Sequence, residues 1–213
     1  MAIVIGDIHG DVDKARAFLA YKPKALHVCL GDYLDSYLEP FERQLECVHL
    51  LMDSNAVLLW GNHDVHYLRE PIFQFPGYQQ KYAALYQELL EQNIVRFKAA
   101  YVADGWLCTH AGVHSGFTAK QDDVAVLADM FNCGWESYLN NRQEGYRYKT
   151  IFQFDFMFER ALVPTNIKQV YGHDELSPAE IVNLSCVSIA CNEKGVVWLF
   201  DTENTEIITL PLR

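Results

Sequence analysis

Ala2-Ile3-Val4-Ile5-Gly6-Asp7-Ile8-His9-Gly10 decides how this chain folds. A short apolar run rich in branched side chains reads as a buried strand. It stops on a glycine and hands over at once to Asp7 and His9. The same order returns twice: residues 25–30 lead into Gly31-Asp32-Tyr33-Leu34-Asp35, and residues 56–60 into Gly61-Asn62-His63-Asp64. Between these runs, residues 11–21 and 40–52 space their apolar side chains helically, with Pro40 near a first turn. Residues 78–92 read as a third helix. Strands alternating with helices predict an α/β fold. Their polar residues then sit at the C-terminal ends of the strands, where open α/β sheets place ligands.

Further along, strands dominate: residues 95–103, 106–109, 167–171, 184–191, 196–201 and 206–210. Asn192-Glu193-Lys194-Gly195 is a turn signal that predicts a hairpin between two of them. The economical architecture is two facing mixed β-sheets flanked by helices, a four-layer sandwich. At 213 residues a single domain over 1–213 is expected. Residues 116–164 have mixed periodicity between two polar motifs and read as a cap insertion.

Half of the residues are hydrophobic, so a packed core is expected and disorder is not. No apolar run reaches the roughly 20 residues that span a bilayer. The first strand leads directly into Asp7, which leaves no room for a targeting segment and predicts a cytoplasmic protein without membrane association. The six cysteines are scattered without zinc-ribbon spacing and read as reduced thiols. A net charge of −11 argues against binding a nucleic-acid polymer. It leaves room for a small phosphorylated ligand, because two divalent cations would bring more charge into a pocket than Asp7 and Asp32 remove.

Carboxylate, imidazole and amide oxygen form a donor set for borderline divalent ions. Asp7 and His9, two apart on an extended loop, can enter one pocket if the backbone kinks between Gly6 and Gly10. Asp32 has two oxygens and can bridge two ions. Asn62 offers a neutral oxygen to the second ion, joined by His110 of Thr109-His110-Ala111-Gly112 and His173 of Gly172-His173. His63 adjoins a ligand and is expected to face substrate, with Asp35 orienting it. A pair of such ions about 3.5–4 Å apart can clamp a phosphoryl group and generate hydroxide at neutral pH.

These pieces, in the order D-x-H, G-D-x-x-D, G-N-H-D, H and G-H, resemble the calcineurin-like metallophosphoesterase superfamily from Asp7 to His173. The resemblance implies Asp7, His9 and Asp32 on one metal, and Asp32, Asn62, His110 and His173 on the other. It makes His63 and Asp35 the catalytic pair and implies a metal-dependent phosphatase working through a bridging hydroxide. Manganese is the first expectation, with iron, zinc or nickel as substitutes. The single histidine after Gly172 is closest to the protein serine/threonine phosphatase and diadenosine-tetraphosphatase branch, so monoester hydrolysis comes first. A nucleotide phosphodiester or pyrophosphate comes second, and a binding scaffold without turnover third.

Substrate-side departures are plain. Ser36-Tyr37 stands where protein phosphatases carry arginine and glycine, and Trp60 where they put an arginine, so two phosphate-gripping guanidiniums are missing. Glu175 holds the place of a second histidine and is either solvated or a ligand. Trp60, His114, Arg147 and Arg160 are the candidate substrate contacts. The basic, aromatic stretch from Tyr138 to Lys149 is either a clasp for the non-reacting part of a substrate or a solvated face. The alternating Phe152, Phe154, Phe156 and Phe158 fit a half-buried strand first, and a stacking surface for a nucleobase or aryl leaving group second. A phosphorylated small molecule, a nucleotide or a phosphoprotein is the expected partner.

Overall fold

The computed structural model describes residues 1–69, 71, 74–141, 165–173, 180–183, 186–189 and 195–212. Strand β1 (Ala2–Ile5) is buried on both faces, as its unbroken apolar run requires. It pairs in parallel with β2 (Leu26–Cys29), which continues in parallel to β3 (Val57–Leu59) and β4 (Phe97–Lys98). On the other side β1 pairs antiparallel with β10 (Val196–Asp201), and β10 with β11 (Glu206–Pro211). The six-stranded sheet therefore runs β11-β10-β1-β2-β3-β4. A second sheet runs β5-β6-β7-β9-β8, formed by Tyr101–Ala103, Trp106–Cys108, Gln169–Tyr171, Cys186–Ser188 and Glu180–Asn183 in that order.

Period-two alternation splits the core. Ala2, Val4, Val28, Leu30 and Leu59 face Trp106, Cys108, Val170, Val187 and Ile189 in the layer between the sheets. Ile3, Ile5, Cys29 and Leu58 point the other way and join the cluster that includes residues of the helices. Helix α1 (Val12–Ala20) starts at Asp11, whose side chain accepts from the Asp13 and Lys14 amides at 3.0 Å. Its neighbour α2 (Phe41–Met52) buries Cys47, Val48 and Leu51. The four-residue α3 (Asn62–Val65) follows β3 directly, and α4 (Ala83–Gln92) begins five residues later than helical spacing predicts.

Three expectations need correction. Residues 95–103 do not form one strand: a 3-10 turn (Ile94–Arg96) precedes β4, and the chain then crosses to the second sheet as β5. Asn132 fixes the crossing, its Oδ1 accepting from the Ala99 and Ala100 amides at 2.9 and 3.2 Å. Such a distant anchor leaves no local signature. The strands flanking Asn192–Gly195 are not a hairpin either, because β9 lies in one sheet and β10 in the other. Within residues 116–164, the described part holds α5 (Ser115–Thr118) and α6 (Val124–Asn140). Helix α6 packs Leu127, Phe131, Trp135 and Tyr138 into the main core, so Tyr138 belongs to the interior and not to a substrate clasp. Residues 142–164, with Arg147, Arg160 and the phenylalanine ladder, lie outside the described residues, as does Glu175.

Cys29, Cys47, Cys108 and Cys186 are buried free thiols, and Cys133 is an exposed one. No helix among the described residues is long and apolar enough to cross a membrane.

The β10–β11 turn illustrates how burial and charge set acid stability. The Asp201 carboxylate has no exposed surface, lies 2.6 Å from Lys22 Nζ, and accepts from the Glu203 and Asn204 amides. Burial pushes its pKa up, but Lys22 and those amides outweigh it and hold it below the usual carboxylate range. A lowered carboxyl stabilises the fold above its unfolded pKa near 4, and the contribution is lost as pH falls through the lowered value. Asp201→Asn is thus expected to lower the urea midpoint at pH 7, with the gap to wild type closing below about pH 4. A gap that stays constant down to about pH 2.5 would contradict this.

Candidate metal centre

Every motif residue follows a strand end. Asp7 and His9 come after β1, Asp32 and Asp35 after β2, Asn62 and His63 at the start of α3 after β3. From the second sheet, His110 follows β6 and His173 follows β7. Because β1, β2 and β3 are mutually parallel, as are β6 and β7, the loops collect at one edge of the sandwich.

Cross-links hold these loops together. The Ile8 and His9 amides donate to Asp32 O at 3.2 and 2.8 Å, and Gly172 N to His110 O at 2.7 Å. The His173 amide donates to both Asp7 oxygens at 3.0 and 3.1 Å. A Cβ on Gly172 would stand 2.3 Å from Asp7 Oδ1, so only glycine permits that approach. The backbone is strained here: seven described non-glycine residues have φ in the left-handed region, and His9, Asp32, Asp35 and His173 are four of them. Such strain gathers at functional sites when the surroundings over-determine it.

Two donor clusters share Asp32, and a third group, Asp35, His63 and His66, lies beside them. Asp7, His9 and Asp32 form one, and Asp32, His110 and His173 the other, with the ligand-capable atoms of each lying within 4.8 Å of one another. In the second, His110 Nε2 is 2.8 Å from Asn62 Oδ1, 3.1 Å from His173 Nδ1 and 3.4 Å from Asp32 Oδ2. His173 Nδ1 is 2.8 Å from the same amide oxygen. A coordination shell with bonds of about 2.1 Å has ligand–ligand edges of roughly 3.0 Å when octahedral and 3.4 Å when tetrahedral. The spacing therefore fits a cation at the centre.

Proton placement fits it as well. Nδ1 of His110 lies 2.9 Å from Leu30 O, and Nδ1 of His9 lies 2.8 Å from Leu34 O. A ring N–H that donates to a carbonyl leaves the Nε2 lone pair aimed at the cluster, the support that metal-binding histidines use. With the rings neutral, acceptor atoms face acceptor atoms, an arrangement that draws in positive charge, as a cation or as a proton. Burial alone would lower the His110 pKa, yet Asp32, Asp7 and Asp64 outweigh it and push it up to about 9. Asp32 is pushed up by burial but held well below the carboxylate range by His110, His63 and His9. For Asp7 burial wins and raises the pKa.

His63 lies beside the first cluster, its ring 5.2 Å from that of His9 and edge-on to it. Its amide donates to Asp32 Oδ1 at 2.9 Å, and its Nδ1 lies 2.9 Å from Asp35 Oδ2. The structure does not bring Trp60 to the site. Its indole is fully buried and stacks on Phe97 at 4.4 Å, so it is a core residue and that substrate assignment is corrected. His114 is exposed, and its Nδ1 accepts from the Gly116 amide.

Three residues escaped the sequence reading. Asp64 accepts from the Asp32 and Gly61 amides through Oδ2 and from the Tyr33 amide through Oδ1, tying the second loop to the third. Burial and neighbouring Asp32 push its pKa up to about 7. Its place in Gly61-Asn62-His63-Asp64, an acid in the first turn of a helix, was the available signal. His66 and Tyr67 approach Asp35. The i, i+3 spacing of His63 and His66 on one helical face was the only hint of that.

The protein family described as calcineurin-like phosphoesterase matches residues 2–210. No curated protein matches the chain. Among solved structures, a metallophosphoesterase from Sphaerobacter thermophilus is 12% identical with a TM-score of 0.49, covering 100% of this chain and 88% of its own. A novel archaeal phosphodiesterase is 11% identical with a TM-score of 0.42, covering 99% of both chains. The Thermus thermophilus protein TT1561 is 11% identical with a TM-score of 0.43, covering 100% and 98%.

Proposed function

Because this chain belongs to the calcineurin-like phosphoesterase family, we propose that it hydrolyses phosphoric esters with two divalent cations, phosphate monoesters first among its substrates. Asp32 carries the reading: one buried carboxylate is shared by both donor clusters, as a pair of adjacent cations requires. Asp7, His9 and Asp32 hold one ion, and Asp32, Asn62, His110 and His173 the other. When bound, the ions lower the pKa of water and neutralise charge on the phosphoryl oxygens. Manganese is the preferred ion, and iron, zinc or nickel suit the same donors.

The chain's own residues do the rest. His63 gives its proton to the departing oxygen, and Asp35 keeps the imidazole aligned. Backbone ties between the loops hold the donors in place before substrate arrives, so little reorganisation is needed. The grip on phosphate is unusual. Arg43 pairs with Asp13 and Glu39, Arg16 with Asp13 and Glu46, and Arg96 with the Met52 and Ser54 carbonyls. These three arginines, among the described residues, are thus engaged elsewhere, so the ions take a large share of charge neutralisation, with Arg147 and Arg160 as the candidate protein contacts. The weaker protein grip on a dianion favours nucleotide phosphodiesters or pyrophosphates as the second substrate class.

A panel of aryl monoesters, aryl diesters, phosphopeptides and dinucleoside polyphosphates, assayed with manganese and after chelation, tests the reading. The aryl monoester is expected to exceed the diester by about tenfold or more in kcat/KM, with activity lost in chelator and restored by manganese. Failure to turn over any ester with any of the four metals would leave a binding scaffold instead.

A further inference from the structure

We propose that His66 and Tyr67 are positioning residues for the proton donor: anchored by the backbone of residues 75–79, they fix Asp35 and through it aim His63 at the leaving oxygen. The inference rests on the phosphoesterase reading, in which His63 is the acid. Three side chains close on the buried Asp35 carboxylate. His63 Nδ1 lies 2.9 Å from Oδ2, His66 Nε2 lies 2.7 Å from the same oxygen with its N–H directed beside it, and the Tyr67 hydroxyl donates to Oδ1. Neither His66 nor Tyr67 reaches solvent appreciably, at 1% and 2% exposure.

Each of the two helpers is fixed from behind by one backbone amide. Phe75 N–H donates to His66 Nδ1 at 3.2 Å, which leaves the ring proton on Nε2, the nitrogen 2.7 Å from Asp35 Oδ2, where a small ring rotation brings the N–H into line. Gln79 N–H donates to the Tyr67 hydroxyl at 2.7 Å, which leaves the phenolic proton for Asp35. Burial and the Asp35 carboxylate push the Tyr67 pKa up, so it remains a donor. Tyr78, between those two anchors, stacks on Tyr67 at 4.8 Å and meets His66 edge-on at 5.1 Å. The segment also touches the acid itself. Gly77 has φ +96, and a Cβ there would stand 3.3 Å from His63 Cε1. Residues 75–79 thus back the supports of His63 and flank its ring.

In the cleavage step the oxygen of water bonds to phosphorus and releases a proton to solvent, the electron pair of the ester P–O bond passes to the leaving oxygen, and a proton moves to that oxygen from His63. His63 ends neutral and Asp35 stays a carboxylate. Loosening Asp35 therefore harms proton delivery, and the harm grows as the leaving group becomes a poorer anion.

The test compares p-nitrophenyl phosphate, with a good leaving group, and phenyl phosphate, whose phenol has a pKa of about 10, on manganese-loaded full-length protein. Tyr67→Phe is expected to lower kcat on phenyl phosphate about 10- to 100-fold and on the nitrophenyl ester by less than about threefold, with KM and metal content unchanged. His66→Gln puts an amide N–H where Nε2 stands and is expected to keep most of the phenyl phosphate rate. His66→Asn puts it where Nδ1 stands and is expected to lose the rate as Tyr67→Phe does. Equal losses on both esters, or Gln no better than Asn, would overturn the proposal in favour of a purely structural role. His63→Asn separates the two levels. If it keeps the phenyl phosphate rate, the acid assignment itself fails. A crippled His63→Asn beside an unaffected Tyr67→Phe defeats only the positioning role.

Discussion

Asp32→Asn is expected to abolish occupancy of both cation sites and to lower kcat by about 10³-fold or more, since each ion is worth several kcal/mol to the developing charge. The substitution is chosen so that little else changes. Asp32 sits at φ +54, a conformation asparagine tolerates better than most residues. Its Oδ1 accepts from the His63 amide, and an asparagine oxygen can do the same. Far-UV circular dichroism of the metal-free variant is therefore expected to match that of metal-free wild type. Elemental analysis after gel filtration in manganese reads the outcome. A variant that still holds two ions per chain would contradict the shared role of Asp32.

His63→Asn is expected to produce the opposite pattern, with full metal content and a kcat lowered by about 10²- to 10⁴-fold. Asparagine keeps an amide N–H close to where Nδ1 faces Asp35, so that carboxylate retains a partner. What disappears is the titratable nitrogen on the other side of the ring. KM should change little, because the imidazole acts on the departing group in the transition state more than on bound substrate. Unchanged turnover would remove His63 from the chemistry.

The parts of this molecule written in local sequence were legible before any coordinates. Residues 2–5, 25–30 and 56–60 are short apolar runs ending in glycine, and each became a parallel strand with its polar residues at the C-terminal end. The donors converge because parallel strands place the loops that follow them at one edge, so topology and site were read together. The failures share a different cause. The break between β4 and β5 depends on Asn132, which lies more than 30 residues away in sequence. Strands β9 and β10 joined different sheets because pairing partners decide sheet membership, and a turn signal between two apolar runs says nothing of partners. Trp60 followed family position and not burial, although its apolar strand already placed it in the core. Helix α6 was missed although Leu127, Phe131, Trp135 and Tyr138 recur at helical spacing. His66 and Tyr67 have no motif, and only the fold reveals that both reach Asp35.

The most direct test of the central claim is a count of divalent cations per chain by isothermal titration of metal-free protein with manganese, run on wild type and Asp32→Asn. Two ions on the wild type and none retained by the variant is the predicted result. A wild type that takes up no manganese, zinc, iron or nickel would contradict the account at its base.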